Sequence, residues 1–521
     1  MVARDYRPSN LDQGFLIPPD IRDWLDNDHV AWLVIEAVAA MDTSAFHRRR
    51  PGRRTKTSMA GRAGYDPDQL LALLIYAYAV GERSSRRIEK LCWTDVAFRV
   101  LCGNDIPDHT VIARFRAEHD KAFENLFTEV LVLCKANGMG RFGELALDGT
   151  KIAANAAKDA TRSEQTLRKM ARESIDDAYR TDKADTDAIR RGRDDSLPPS
   201  LRSGEVRTKT IAAAVEKLEA NKAADIDARR AADPNGKDEI TTADERVTAA
   251  EGKYEQAVTV HRASVDRWQS RVDAGVRPGR KPKSAQDTSR VKYAACRLER
   301  ARDTALAVRT PKSEGGRGKN YRINLTDPDS ALMKTRGGFV QGFNAQLMVS
   351  SDYLIVACHA SADGTDMQSY VPMVAAAEAV LESVWGADGK KKIGTVLADA
   401  GYCSVANLTA EGPHRLIATD SRRHRARTEP ENANTDTSEH KSPEVAAMRE
   451  YLTTEDGHAR YIRRGALVEP VNAHLKDRRG LRQFARRGLG AVNAELTLAA
   501  AVTNLQRLFT TKNITRGALL A

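Results

Sequence analysis

The sequence predicts an α/β fold: a mixed sheet with flanking helices, an all-α N-terminal domain before it and a long charged helical insertion within it. Three observations carry this. Strand-type apolar runs lie at 144–148, 339–349, 353–358, 393–398 and 415–418, and helical periodicities separate the later ones, the pattern of a sheet with helices on its faces. Residues 1 to about 140 read as helical. From about 160 to 310 the chain is rich in Ala, Arg, Asp, Glu and Lys and nearly free of aromatics. The domains expected are 1–140, a core of 141–158 with 320–521, and an insertion of 159–319.

In the N-terminal part, Tyr65-Asp66-Pro67 opens an apolar run with helix-start chemistry, an Asp followed by Pro in the first turn. Ser84-Ser85 begins a second short helix. Asp108-His109-Thr110 begins a longer one, with Val111, Phe115, Phe123 and Phe127 at helical spacings. Short helices joined by tight turns suit a helix-turn-helix-like bundle. Before the later helices, seven Lys/Arg and no acid fall between Arg48 and Arg62, among them Arg53 and Arg54. Such a stretch suits a flexible basic loop as well as a phosphate-contacting arm.

Glu144-Leu145-Ala146-Leu147-Asp148 alternates and reaches Gly149-Thr150, a short strand with Asp148 at its tip. Long charged helices are expected at about 163–190, 209–233, 242–275 and 282–310, without sustained heptads. Then 339–349 and 353–358 read as a hairpin across Ser350-Ser351-Asp352. A helix at about 367–384 precedes the buried-type strand Ile393–Ala398, which runs into Asp399. A strand at 415–418 leads to about twenty polar residues expected to be mobile. Helices at about 443–453, 468–478 and 490–510 close the chain.

Composition narrows the classes. A chain of 521 residues allows about two to four domains. With 82 Lys+Arg against 71 Asp+Glu, the formal charge of +11 makes a polyanionic partner plausible. The longest relevant apolar run, Leu70–Val80, is half of the ~20 residues a membrane span needs, and the N-terminus has no secretory h-region. Six scattered cysteines without a CxxC support neither a disulfide framework nor a zinc knuckle. There is no GxxxxGK[ST], so ATP use is not expected. A cytoplasmic, nucleoid-associated protein fits these features.

The acids that suit chemistry are those delivered by apolar strands. Asp148 and Asp399 each end such a run, and carboxylates converging at a sheet edge repel unless a cation is shared. Hard divalent ions take oxygen ligands and keep several waters, so two or three carboxylates suffice. Each residue taken alone equally suits a turn cap. The third candidate, Glu469, precedes Pro470, which suits a first helical turn and places Glu469 at a helix start. Lys476 follows seven residues later on nearly the same face. From Arg460 to Gly488 nine Lys/Arg face two acids, a basic setting in which an isolated surface glutamate is less expected.

These segments resemble a DDE transposase of a bacterial insertion sequence. The matching residues are 148–156 (DGTKIAANA), 342–346 (GFNAQ), 397–402 (LADAGY) and 468–471 (VEPV), with Arg486-Arg487-Gly488 downstream. Residues 65–67, 84–89 and 107–116 resemble the helical domain that precedes such cores. The resemblance implies an RNase-H-like core, with Asp148, Asp399 and Glu469 as the acids that bind Mg2+ or Mn2+, two ions in all. It makes Tyr461, Arg464 and Lys476 the Y-R-E-K residues around the glutamate, although four residues rather than three separate Arg464 from Glu469. With Arg487, Arg53 and Arg54 they would contact DNA.

The implied activity is cleavage of phosphodiesters at element ends and joining of the 3′-OH ends to target DNA, without ATP. The implied partners are terminal inverted repeats and target DNA, with a dimer on DNA. A transposase-derived DNA-binding regulator without catalysis, and a metal-dependent nuclease without strand transfer, are the alternatives.

Overall fold

In the computed structural model the described residues are 20–47, 64–183, 204–232, 239–277, 279–309, 321–335, 337–386, 392–419, 442–517 and 519. The basic stretch at 48–62, with Arg53 and Arg54, and most of the polar stretch after 418 therefore lie outside them. The chain divides into two compact units, 1–156 with 329–521, and 157–328.

The first unit holds a mixed sheet of order β4-β5-β1-β7-β8, with β6 also paired to β5. Its strands are β1 (Glu144–Ala153), β4 (Ala331–Thr335), β5 (Gly338–Ser350), β6 (Ile355–Ser361), β7 (Thr395–Ala398) and β8 (His414–Ile417). β5 runs antiparallel to β1, β4 and β6, whereas β7 is parallel to β1 and to β8. β1 does not stop at Asp148, as the sequence suggests; it continues to Ala153, so Asp148 is mid-strand. The cause is β5, whose register against β1 extends from Leu145↔Ser350 to Ala153↔Gly342. The parallel pairing with β7 ends at Leu147, so the β1 edge is released on that side just where Asp148 stands.

Before the sheet come α1 (Val30–Ala40), α2 (Ser44–His47), α3 (Pro67–Ala79), α4 (Ser85–Thr94), α5 (Val96–Leu101), α6 (His109–Glu118) and α7 (Ala122–Ala136). Asp66 caps α3 by accepting the Asp68 N–H at 3.0 Å, with Pro67 in the first turn. Every residue of α3 from Leu70 to Ala79 is buried, as expected of a helix apolar on all sides. The single helix expected after Asp108 is instead two, α6 and α7. The chain breaks at His119-Asp120-Lys121, where His119 is held by the carbonyls of Phe115 and Phe46 at 2.8 and 3.0 Å. One hydrophobic cluster joins Leu71 and Leu74 of α3, Phe123 and Leu131 of α7, and Leu147 and Val349 of the sheet.

After the sheet hairpin come α12 (Tyr370–Trp385), α13 (Val405–Thr409), α14 (Pro443–Thr453), α15 (Glu455–Ala473) and α16 (Leu489–Lys512). α16 closes the edge strand β6 with two asparagines. Asn504, fully buried, accepts the Ile355 N–H at 2.8 Å and donates to the Ile355 carbonyl at 2.8 Å. Asn493 does the same for Ala360, at 2.8 and 3.0 Å. The eleven-residue helical interval and the five-residue strand interval both span about 16 Å. An odd interval in a regular strand would face opposite edges. The bulge beside Met348/Val349 resets the phase, so both residues face α16.

The second unit contains β2 (Thr161–Ser163) paired with β3 (Arg322–Asn324), and the helices α8 (Glu164–Lys183), α9 (Gly204–Ala232), α10 (Glu239–Asp273) and α11 (Ser289–Arg309). Its small apolar cluster is Leu167, Ile211, Ala214, Leu218, Ile323 and Leu325. Ion pairs Arg302–Glu251 (2.8 Å) and Arg309–Asp244 (2.5 Å) tie α11 to α10.

Asn504→Leu is expected to lower stability by about 2–4 kcal/mol, since it leaves both backbone groups of Ile355 buried and unpaired. Urea denaturation checks this; an unchanged midpoint would show that the edge is satisfied in another way.

Candidate active site

α15 packs across β1, β5 and β7 and carries the basic sequence around Glu469. It starts far earlier than the expected position at Glu469. Thr454 caps it by accepting the Gly457 N–H at 3.1 Å, and Glu455 and Asp456 occupy the first turn. Pro470 lies inside the helix near its end rather than in a first turn. Its missing N–H removes one ladder bond, and the helix passes into a π-turn at His474–Arg478 that carries Lys476.

Ion pairs dock α15 on β1. Glu144 and Asp148 share one strand face; Arg463 meets Glu144 at 2.9 Å, and Arg464 Nη1 meets Asp148 Oδ1 at 3.2 Å. Asn472 Nδ2 donates to Asp148 Oδ2 at 2.8 Å. Both oxygens of Asp148 are thus engaged from one helix. Burial, countered by Arg464 and reinforced by the Asp399 and Asp366 charges, pushes the Asp148 carboxyl up to about 6.

Asp399 follows the last residue of β7 and accepts the Gly401 N–H at 2.9 Å. Glu469 lies on the exposed flank of α15, in the stripe Gly465, Glu469, Asn472 and Lys476. The stripe is the one whose Asn472 reaches Asp148. Arg464 interacts electrostatically with Asp148, Asp399 and Glu469 and with Tyr461. Burial lowers the Lys476 ammonium, which also feels Arg482 and, in the opposite sense, Asp148. Arg487 stands apart, donating to the Asn155 carbonyl at 2.8 Å beyond the end of β1.

A fourth carboxylate, Asp366, was not apparent from the sequence. It lies five residues beyond the end of β6, after Ala362-Asp363-Gly364-Thr365, so the apolar strand does not run directly into it as β7 does into Asp399. Its Oδ1 accepts from Asn344 at 2.7 Å and Gln346 at 2.8 Å, and Lys151 stands 3.8 Å away. Gln346 in turn accepts the Tyr402 hydroxyl, whose pKa burial and the surrounding carboxylates hold well above the usual phenol range. Gly149 leaves the room that Asp366 fills; a Cβ there would collide with Asp366 and Gln346. At Gly401 a Cβ would lie 3.0 Å from Asp399 Oδ1 and 3.2 Å from Asp366 Oδ2. The glycine keeps the space between those two oxygens open.

This donor set fits a hard divalent cation: carboxylate oxygens, an open cradle between two of them, and an acid whose proton affinity is raised by burial first and then by its acidic neighbours. Asp148, Asp399 and Glu469 do not meet within 4.8 Å as a three-ligand group. Among the described residues the groups that do are His47-Asp66-Asp68 and Glu89-Asp108-His109. Both gather at helix N-termini, where Asp66 and Asp108 are caps.

A family model described as Transposase domain (DUF772) matches residues 19–118, and one described as Transposase DDE domain matches residues 421–509. The first range contains α1 to α6; the second contains α15 with Arg464 and Glu469, and the π-turn with Lys476. Asp148 and Asp399 lie outside both. No curated protein and no solved structure matches the chain. No helix among the described residues is long and apolar enough to cross a membrane.

The raised Asp148 carboxyl has a consequence for stability. The folded protein holds that proton to higher pH than the unfolded chain, so stability falls as pH rises from about 4 to about 6. Asp148→Asn is expected to exceed wild type by on the order of 2 kcal/mol at pH 7.5 in EDTA, with little difference near pH 4. Urea denaturation at the two pH values checks it, and a less stable variant at pH 7.5 contradicts it.

Proposed function

We propose that this chain, a transposase with an N-terminal DUF772 transposase domain and a DDE transposase domain, cleaves phosphodiesters at the ends of an insertion sequence and joins the 3′-OH ends to target DNA. The observation that carries the reading is the approach of three parts of the chain to one place. Asp148 comes from β1, Asp399 follows the adjacent parallel strand β7, and Arg464 and Asn472 come from the helix inside the matched DDE range. The core is read as RNase-H-like on the same grounds.

Asp148, Asp399 and Glu469 would hold Mg2+ or Mn2+, as one ion or two, with Asp366 beside Asp399. When bound, such ions stabilise charge on the attacking and leaving oxygens of an in-line phosphoryl transfer. The protein's own residues position the DNA. Arg464 presents a planar fork that suits phosphate as well as carboxylate. Lys476, half buried beside the acids, offers a compact charge for a phosphate oxygen. Water attacks the phosphodiester and the 3′-oxygen leaves; the freed 3′-OH then attacks a target phosphodiester, whose own 3′-oxygen leaves. Neither step forms a bond to the protein or consumes ATP, so catalysis rests on positioning and charge stabilisation. Two element ends call for two copies of the chain on DNA.

The test is divalent-metal-dependent cleavage and joining of labelled element ends, wild type beside Asp148→Asn, Asp399→Asn and Glu469→Gln. Each variant is expected to lose on the order of a thousandfold in cleavage while end binding in EDTA changes little. Full activity of Glu469→Gln would move the third acid elsewhere. Specific end binding without wild-type cleavage would favour a regulator, and cleavage without joining a nuclease.

A further inference from the structure

We infer that the hairpin of α10 and α11 in the second unit is a docking surface for the phosphate backbone of duplex DNA. The inference rests on the reading of the chain as a DNA-binding transposase and assigns a role to the insertion.

A groove runs between the two helices. On α10 it is lined by Arg246, Ala249, Ala250 and Lys253, and on α11 by Tyr293, Ala294, Arg297 and Arg300. The α10 residues follow the i, i+3, i+4, i+7 spacing of one helix face, and Tyr293, Arg297 and Arg300 that of one face of α11. Alanines make a shallow floor; four exposed cations form the rims, and no acid among the described residues lines the groove.

Two sets among the cations of this hairpin bear on the groove. Arg302 and Arg309 are taken up by Glu251 and Asp244 in holding the helices together. Arg246, Lys253, Arg297 and Arg300 form no ion pair with any described residue. A helix pair that needed only solvated charge would gain by mixing signs on this face, as it does elsewhere along the same helices. Instead like charges are concentrated on both rims, an arrangement stabilised by a polyanion. Arg246 and Lys253 are about 10 Å apart along α10, roughly three phosphates of one strand at about 3.4 Å of axial rise each. Tyr293, largely exposed, stacks near Arg297 with its ring centroid 5.8 Å from the guanidinium carbon, which restrains that side chain at the rim.

Cys296 lines the same groove and is exposed, whereas Cys92, Cys102 and Cys134 are buried. It therefore reports occupancy in the full-length protein without any substitution. With catalysis blocked by EDTA, a duplex of random sequence is expected to slow alkylation of Cys296 by N-ethylmaleimide at least about tenfold, read by peptide mass. The variant Arg246→Gln/Lys253→Gln/Arg297→Gln/Arg300→Gln should keep its helix content, since glutamine and arginine have similar helix propensity. It should lose the protection and at least about tenfold in affinity, with the slope of log Kd against log salt reduced by about three to four. The control Arg262→Gln/Arg267→Gln/Arg271→Gln/Arg290→Gln removes as many exposed cations of the hairpin outside the groove and should keep the protection and most of the affinity.

Wild-type binding with Cys296 unprotected, or equal losses in both variants, overturns the groove assignment while leaving the transposase reading intact. Protection by an acidic polypeptide but not by duplex overturns it in favour of a protein partner. Failure of the wild type to bind any duplex removes the transposase reading and this inference together.

Discussion

Asp148 stands in the middle of the central strand of the sheet, mostly out of water, and a carboxylate there has to be compensated. Its own strand supplies none of the compensation. Arg464 and Asn472 come from α15, which is thereby fixed over β1, and Arg463 repeats the arrangement at Glu144. The strand beyond Asp148 is free of β7, and Asp366 and Asp399 come close enough to raise its proton affinity. Packing of a helix and the character of a site thus follow from neutralising one charge. The neutralisation is incomplete, as the carboxyl displaced to about 6 shows. A buried anion left partly unbalanced weakens the fold and suits cation chemistry, a trade common at functional sites.

Glycine makes this crowding possible at two places. Gly149 yields its side-chain volume to the Asp366 carboxylate, and Gly401 keeps two carboxylate oxygens from being filled in between. Around them, Asn344 and Gln346 of β5, the latter held in turn by the phenol of Tyr402, fix Asp366 by one oxygen and leave the other on the side of Asp399. Rigid amides hold the acid on one side only.

The sequence made some of this plain and hid the rest for physical reasons. Strand-type runs and helix caps act locally, so the mixed α/β architecture, the Asp66 cap and the long charged helices can be read from short windows. The extent of β1 cannot, because it is set by β5, whose pairing residue for Asp148 is nearly 200 positions away. Pro470 suggested a helix start, but the stronger signal was Thr454 followed by two acids, which places Glu469 near the end of a long helix. Arg464 lies one residue off the spacing of the signature it resembles, yet the structure sets it on Asp148. Asp366 sits in a polar turn like many others, and only the folded chain shows what it faces. The pairs that Asn493 and Asn504 form with β6 depend on a bulge that no local pattern announces.

The clasp of Thr161–Ser163 against Arg322–Asn324 brings together two points of the chain near the two ends of the second unit. For a growing polypeptide this changes the search that β1 faces. Joining β1 to β5 through an unstructured segment would carry the loop-closure entropy of that entire length. Once the second unit has closed on itself, the same pairing becomes nearly local, and contact order stops governing its rate. The insertion then acts as a tether for β1 and β5: this pairing asks only that its two ends still meet, and places no demand on the length between them.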